Sequence, residues 1–144
     1  MADMLYTLVN AAVLPGWLLL IFAPRWKWTT ALVTTVLIPF GLGLAYIALL
    51  AANWPVLASA GTFQHLSDVA KLFANEYCLL AGWIHYLAFD LLVGTWEVRD
   101  AQRVGLPHWL VVPCLLLTFV LGPAGLVGYF VLRWAMTKRV LVEA

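Results

Sequence analysis

Charged residues are scarce in this sequence. It has eight Lys and Arg and seven Asp and Glu, about 10% of 144 residues, with a formal net charge of +1 and no long basic run. A protein that binds nucleic acid needs a basic patch or stripe, so this composition excludes a nucleic-acid partner. Hydrophobic residues make up 65% of the chain. A soluble domain of this length cannot bury so much apolar surface, so the composition indicates a membrane protein.

Residues and motifs that would hold a metal or cofactor are also few. The two cysteines, Cys78 and Cys114, lie in apolar segments. On antiparallel helices they would be roughly 20 Å apart, too far for a disulfide. The sequence contains no serine nucleophile elbow, phosphate-binding glycine loop or paired-cysteine motif. His85 has no second deep histidine with which to bind haem. We therefore predict no metal and no cofactor.

Four apolar segments are long enough to span a bilayer, which takes about 20 residues. They cover about residues 5–23, 29–52, 77–96 and 109–134. The eight Trp residues also favour a membrane–water interface. We predict an all-α fold, an integral membrane four-helix bundle, with residues 1–144 as a single transmembrane domain. No signal or transit peptide is visible, so we expect a multi-pass protein of a bacterial inner membrane.

A more polar segment, Thr62–Glu76, separates the second and third predicted helices. Phe63, Leu66, Ala70 and Phe73 recur in it at helical spacing, with polar residues between them. This pattern predicts a short amphipathic helix that is too polar to span. It either lies in the membrane interface as a lid or extends the third helix outward.

The predicted helices differ in whether they contain proline. The fourth contains Pro113 and then Gly122-Pro123-Ala124-Gly125, whereas the third has no proline. Prolines bend membrane helices and could open a cavity, or the small residues beside them could simply allow close packing.

The positive-inside rule does not orient a four-helix arrangement of this chain, because Lys and Arg are divided equally between its two ends. One end would hold Arg25, Lys27, Arg99 and Arg103, and the other would hold Lys71, Arg133, Lys138 and Arg139.

The third helix carries the ionisable residues that would lie deep in the membrane. His85 and Asp90 are near its middle, where an ionisable side chain costs about 2.5–3.5 kcal/mol on insertion scales. The two residues are about 140° apart around a helix, so they share a face only loosely. Either they bond structurally to neighbouring helices, or they perform general acid–base chemistry.

Several stretches of the sequence resemble the ABA4-like family, which is named for the plant protein abscisic-acid deficient 4 and includes bacterial and algal relatives. They are Leu66–Phe73, Trp83-Ile84-His85 and Phe89-Asp90-Leu91. The segments Asp90–Asp100, Leu106-Pro107-His108 and Phe119–Pro123 resemble its bacterial branch. The resemblance covers essentially the whole chain and is most specific from Lys71 to Asp100.

This resemblance implies a role in carotenoid metabolism. Plant members are associated with opening the 5,6-epoxide of violaxanthin to the allenic alcohol neoxanthin. That net isomerisation needs an acid for the epoxide oxygen and a base for the adjacent polyene carbon, but no redox cofactor. The resemblance makes His85 the base and Asp90 or Glu76 the acid of an isomerase-type enzyme.

Further residues complete the predicted site. We expect Trp83, Tyr86, Asn10 and Lys71 to bind a carotenoid or another long isoprenoid. We expect Glu97, Arg99 and Asp100 to support them.

The alternative is a non-catalytic pigment- or lipid-binding subunit of a larger membrane complex. Such a binder needs only an apolar groove, so the deep polar cluster favours an enzyme. Besides the lipid bilayer, the expected partners are a second copy of the chain or a membrane complex.

Overall fold

The computed structural model of this protein describes residues 1–61 and 63–138, apart from the side chains of residues 30–33. Within these residues the secondary structure is helical throughout and contains no strand, which confirms the all-α class. The helices are α1 (Ala2–Phe22), a π-helical segment (Thr29–Leu37), α2 (Ile38–Ala52), α3 (Trp54–Ser59), α4 (Leu66–Phe73), α5 (Glu76–Val104), α6 (His108–Leu121) and α7 (Pro123–Thr137).

Three helices in the described part of the chain are long and apolar enough to cross a membrane. They are Ala2–Phe22, Thr34–Ala52 and Glu76–Val104. Pro39 lies in the first turn of α2, directly after the π-helical segment. Since proline has no N–H and its ring crowds the preceding turn, the wider π turns before it accommodate the ring.

The central helix, α5, is longer than the segment predicted at 77–96. It begins after Asn75, whose side chain accepts hydrogen bonds from the backbone N–H groups of Tyr77 and Cys78. It continues to Val104 and ends at Gly105, which has a φ of 75°. In its last turns Glu97 and Asp100 are buried against other helices. This packing keeps the residues after 96 helical, although their hydropathy assigns them to a connection.

The single span predicted at about 109–134 is instead two helices, α6 and α7, that pack side by side in opposite directions. Gly122, between them, lies against Asp90 near the middle of α5. From there α7 returns along α6, so that Gly128 faces Cys114. It ends near Asp100, with which Arg133 forms an ion pair. We call this unit the α6–α7 hairpin.

Glycine makes the hairpin turn sterically accessible. Gly122 has a φ of 47° and a ψ of −99°, a conformation that L side chains rarely adopt, and Pro123 then begins α7. One turn later, a β-carbon on Gly125 would overlap the backbone and the hydroxyl of Thr118. A side chain at position 125 would therefore separate the two helices. The four-helix arrangement expected from the sequence is replaced by three long helices and this hairpin.

The predicted amphipathic helix is present as α4, which is a separate helix and not an extension of α5. It covers Leu66–Phe73, and the break at Ala74 and Asn75 separates it from α5. Thr62, where the predicted segment begins, lies outside the described residues. The Phe73 ring packs on α5, where a β-carbon on Gly82 would lie 3.2 Å from its Cζ. This contact places α4 over the first turns of α5.

Candidate functional site

The long helix α5 contributes residues to two regions with different chemistry. Cys78, Ala81, Gly82 and His85 line an apolar groove. Asp90, Glu97 and Asp100 are buried elsewhere on α5, and each meets a residue of the α6–α7 hairpin. Asp90 and Glu97 point away from His85 around the helix, by about 140° and 120°. Asp100 is only about 60° from His85 around the helix, and it is separated from the groove along the axis, by about 22 Å from His85.

The groove lies between α5 and the segment formed by α2, α3 and α4, and its volume is about 530 Å³. Pockets that bind small molecules in proteins have volumes of about 300–1,000 Å³ and mostly apolar walls. The wall consists of Tyr46, Leu50, Leu57, Phe63, Val69, Leu72, Phe73, Cys78, Ala81, Gly82 and His85. The groove therefore suits an apolar ligand.

His85 supplies the imidazole of this groove. Its ring stacks on Phe89, with the ring centroids 4.3 Å apart, and lies 6.1 Å from the ring of Tyr46. The polar side-chain groups of the groove wall are the His85 imidazole, the Tyr46 hydroxyl and the Cys78 thiol. An imidazole can accept a proton on one nitrogen, and a phenol can donate one. The groove thus combines a largely apolar wall with an imidazole and a phenol hydroxyl.

Of the three buried carboxylates, Asp100 accepts the most hydrogen bonds. Its Oδ2 accepts hydrogen bonds from the Tyr129 hydroxyl and from Nε of Arg133, both at 2.7 Å. Its Oδ1 accepts a bond of 3.0 Å from Nη2 of Arg103. Because Tyr129 and Arg133 belong to α7, these hydrogen bonds hold α7 against α5.

Glu97 and Asp90 lie further along α5, closer to the hairpin turn. Thr118, on α6, donates a hydrogen bond of 3.0 Å from its hydroxyl to Oε1 of Glu97. Oε2 of Glu97 and Oδ2 of Asp90 are buried without a hydrogen-bond partner among the described residues. The Tyr86 hydroxyl donates to the carbonyl of Val120 at 2.9 Å and also contacts the Asp90 carboxylate. The turn of the hairpin thus rests on Tyr86 and Asp90.

Trp83 joins α5 to the first helix. Its indole N–H donates to Oδ1 of Asn10 at 3.2 Å, and its ring lies 5.7 Å from that of Tyr6 and 5.2 Å from that of Tyr86. These residues are close together, but they are not part of the groove wall. A role for them in ligand binding stays a prediction.

The residues predicted to be catalytic lie in three separate places. His85 is in the groove, Asp90 is at the hairpin turn, and Glu76 is exposed in the first turn of α5. Glu76 precedes Asp90 by fourteen residues, which is about 21 Å along a helix axis. The structure does not bring the three together, so their joint catalytic role stays a prediction.

The remaining residues of the predicted site also lie apart from one another in the structure. Lys71 is exposed on α4, with its Nζ 3.9 Å from Oδ1 of Asp68. Arg99 is exposed, whereas Glu97 and Asp100 are buried in the hairpin contact. Among the described residues, no three His, Cys, Asp or Glu side chains come together as a metal site would require.

Sequence reasoning missed two groups of residues. Tyr46 faces His85 in the groove, and its only sequence signal is a single tyrosine in an apolar segment. Tyr129 and Arg133 bond Asp100. Arg133 was assigned to the end of a spanning helix, although an arginine just inside an apolar segment is itself a signal of a buried acidic partner.

Comparison with known proteins identifies the family. The model of the ABA DEFICIENT 4-like family matches residues 4–129. The chain is 28% identical over 140 residues to the protein ABA DEFICIENT 4, chloroplastic, of Arabidopsis thaliana. That alignment covers 92% of this chain but only 61% of the plant protein. No solved structure matches the chain. The family match covers most of the chain, which therefore belongs to the ABA DEFICIENT 4-like family.

Proposed function

We propose that this protein is an integral membrane protein that binds a carotenoid or a related long isoprenoid and rearranges it by acid–base chemistry. The observation that carries the proposal is the groove of about 530 Å³ with His85 in its otherwise largely apolar wall. Family membership supports the carotenoid class, since the resemblance implies that plant members act on an epoxycarotenoid. The proposal locates the chemistry in the groove.

The shape and composition of the groove support an isoprenoid ligand. Two aromatic residues of its wall come from the α4 region: Phe73 is the last residue of α4, and Phe63 precedes the helix. Tyr46 and Leu50 belong to α2. Aliphatic and aromatic side chains bind a polyene without requiring polar groups along its length. A polar end group of the ligand would need a partner in this wall, and His85 and Tyr46 provide it.

The proposed reaction moves one proton and breaks one C–O bond. The His85 imidazole removes a proton from the polyene carbon beside the epoxide, and the electron pair of the C–H bond forms the new double bond. The epoxide C–O bond breaks, and the Tyr46 hydroxyl gives its proton to the oxygen. The imidazolium then returns a proton to the phenolate. The product is an isomer of the substrate, so the step needs no oxidant or reductant.

Asp90 and Glu76 were the acids implied by the family resemblance. In this proposal Tyr46 takes that role, because it lies in the groove with His85. Asp90 instead supports the hairpin turn, and Glu76 lies at the exposed start of α5. The assignment of Asp90 is tested in the same assay as His85.

The proposed location is a bacterial inner membrane, crossed several times. The three long apolar helices support this, together with an α6 that is also apolar. Large apolar side chains are exposed on the protein surface, among them Leu18, Phe40, Leu44 and Ile47. Such a surface is stable in contact with lipid chains.

The second candidate function is a non-catalytic pigment- or lipid-binding subunit, alone, as a homo-oligomer or in a membrane complex. The groove wall favours it in one respect, because it contains no carboxylate. Binding an apolar ligand requires only such a wall. The two functions differ in whether a new product forms.

The test is the pigment profile of a carotenoid-producing bacterial host with and without the protein. His85→Phe keeps an aromatic ring that can stack on Phe89 but removes the base. We expect a new isomeric carotenoid that His85→Phe decreases at least about 100-fold, the usual contribution of a general base. His65→Phe, at an exposed position before α4, is the matched control.

The amount of pigment that co-purifies with each variant completes the test. An unchanged profile with carotenoid bound equally to both proteins would support the binding subunit. A profile changed equally by wild type and His85→Phe would reject His85 as the base. Loss of product in Asp90→Asn, with its melting temperature and bound pigment unchanged, would return the acid role to Asp90.

A further inference from the structure

The α6–α7 hairpin changes which end of the molecule carries the positive charges. Because α7 returns along α6, its last turn lies at the same end as Pro24 and the end of α5. Two contacts establish this: Gln102 donates to the carbonyl of Pro24 at 2.7 Å, and Arg133 bonds Asp100 at 2.7 Å. We call this the cationic end and the opposite one the groove end.

The described Lys and Arg residues are divided very unequally between these ends. The cationic end holds Arg25, Lys27, Arg99, Arg103, Arg133 and Lys138, and the groove end holds Lys71. Near the groove end the acidic residues are Asp3, Asp68 and Glu76. A fourth helix that crossed the membrane would move Arg133 and Lys138 to the groove end and bring the division close to equality.

At the cationic end, two tryptophan rings lie close to lysine side chains. Nζ of Lys27 lies 5.2 Å from the centre of the Trp28 ring, and Nζ of Lys138 lies 5.4 Å from that of Trp134. Both tryptophans are about half exposed on the protein surface. Indoles and basic side chains together are typical of a membrane–water interface, and basic residues near it attract anionic lipid headgroups. The cationic end therefore has the composition of a surface that contacts anionic lipids.

The groove lies towards the other end. On α5 its wall uses Cys78 to His85, which belong to the first three turns, and on α2 it uses Tyr46 and Leu50 near the last turn. The amphipathic helix α4 covers it through Phe73. The groove therefore lies in the half of the molecule that lacks the cluster of cations.

Short connections rich in Lys and Arg remain in the cytoplasm during insertion. We propose that the cationic end contacts the anionic lipids of the cytoplasmic leaflet, and that the groove takes its ligand from the opposite leaflet. The identity of that ligand rests on the proposed function, whereas the orientation does not. The structure thus assigns a side of the membrane to the binding site.

The test is the accessibility of single cysteines to a membrane-impermeant maleimide in intact cells of a bacterial expression host. Both native cysteines are buried and are replaced by alanine. New cysteines at Ser67, Pro107 and Met136 lie at exposed positions of α4, of the connection before α6 and of the last turn of α7. We expect Ser67→Cys to react in intact cells, and Pro107→Cys and Met136→Cys to react only after permeabilisation.

Other patterns would overturn the proposal. Reaction of Pro107→Cys and Met136→Cys in intact cells, without Ser67→Cys, would reverse the orientation. Reaction of Met136→Cys together with Ser67→Cys would mean that α7 crosses the membrane, and the charge argument would fail. If the cysteine-free protein does not fold, a reporter that is active only in the cytoplasm, fused after Ala144 of the chain with its native cysteines, replaces the assay. It should be active, and an inactive but expressed fusion would reject the orientation. None of these readouts requires a ligand, so they can fail independently of the pigment assay.

Discussion

Asp90 and Gly122 are in contact where the α6–α7 hairpin turns: a β-carbon on Gly122 would lie 2.8 Å from Oδ1 of Asp90. Asp90 is ten residues before Asp100, about 15 Å along the axis of α5. Asp100 holds the other end of α7 through Arg133. Asp90 therefore marks the point on α5 where the hairpin turns, and Asp100 marks the point where α7 ends its return. This relationship gives the acidic residues of α5 a structural role, whatever their part in chemistry.

Gly122→Ala should destabilise the protein. The new β-carbon would collide with the Asp90 carboxylate, and a φ of 47° is unfavourable for alanine. We expect a loss of about 1–3 kcal/mol, seen as a lower melting temperature in detergent micelles. Gly41→Ala is the control, because nothing lies within 4 Å of its β-carbon and alanine favours a helix. Equal melting temperatures for Gly122→Ala and wild type would contradict the contact.

Arg133→Met should also be strongly destabilising. Arg133 and Asp100 are both almost fully buried, and removing one partner of such a pair costs about 3–5 kcal/mol. Tyr129 and Arg103 still bond Asp100, so we expect a value near the lower limit. Arg99→Met, at an exposed position one residue from Asp100, should change stability by less than about 0.5 kcal/mol. If both variants unfold at the same denaturant concentration, the buried network does not hold α7.

Thr118→Val should reveal the coupling between α6 and Glu97. It removes the 3.0 Å hydrogen bond to Oε1, whereas Oε2 already has no partner among the described residues. We expect a loss of about 1–3 kcal/mol in the free energy of unfolding, because a buried acceptor is left unsatisfied. In a Glu97→Leu background the same change should cost little. A double-mutant cycle measures this difference, and a coupling energy of zero would exclude the interaction.

Gly82→Leu should empty the groove. Its side chain would begin 3.2 Å from the Phe73 ring and extend into the space between α4 and α5. We expect the co-purified isoprenoid to fall at least about tenfold, equivalent to about 1.4 kcal/mol. The melting temperature should fall modestly, because the Phe73 ring must move. Gly43→Leu adds the same bulk on α2 where nothing lies within 4 Å, and should retain the ligand. Full retention by Gly82→Leu would place the ligand elsewhere.

Much of the architecture could be predicted because it depends on composition and periodicity. Long apolar runs predicted the helices at Ala2–Phe22 and Thr34–Ala52, and apolar residues at helical spacing predicted α4. The predicted candidate residues were also concentrated on α5. Their separation between the groove and the hairpin contact was only partly visible, since a spacing in residues gives an angle and a distance along the axis but does not say which helix lies opposite.

The fourth segment shows where that reasoning failed. Hydropathy measures how long an apolar stretch is, and it does not record a reversal of direction inside the stretch. The reversal depends on the φ of Gly122 and on the contact of Gly125 with Thr118. Sequence reasoning identified Gly122 and Pro123 but interpreted them as a bend or as close packing. It therefore placed Arg133 and Lys138 at the wrong end relative to Asp100.

The sequence by itself determined that this is an all-helical protein with long apolar helices, few charges, and an ionisable cluster on α5, because these features follow from side-chain hydrophobicity and residue spacing. Only the tertiary structure decided that α6 and α7 turn back at Asp90, that His85 faces Tyr46 in a groove, and that the cations gather at one end. The physical reason is that these outcomes depend on contacts between residues far apart in the chain. Such contacts are favourable only when helices already pack around them, so no local pattern of residues can encode them alone.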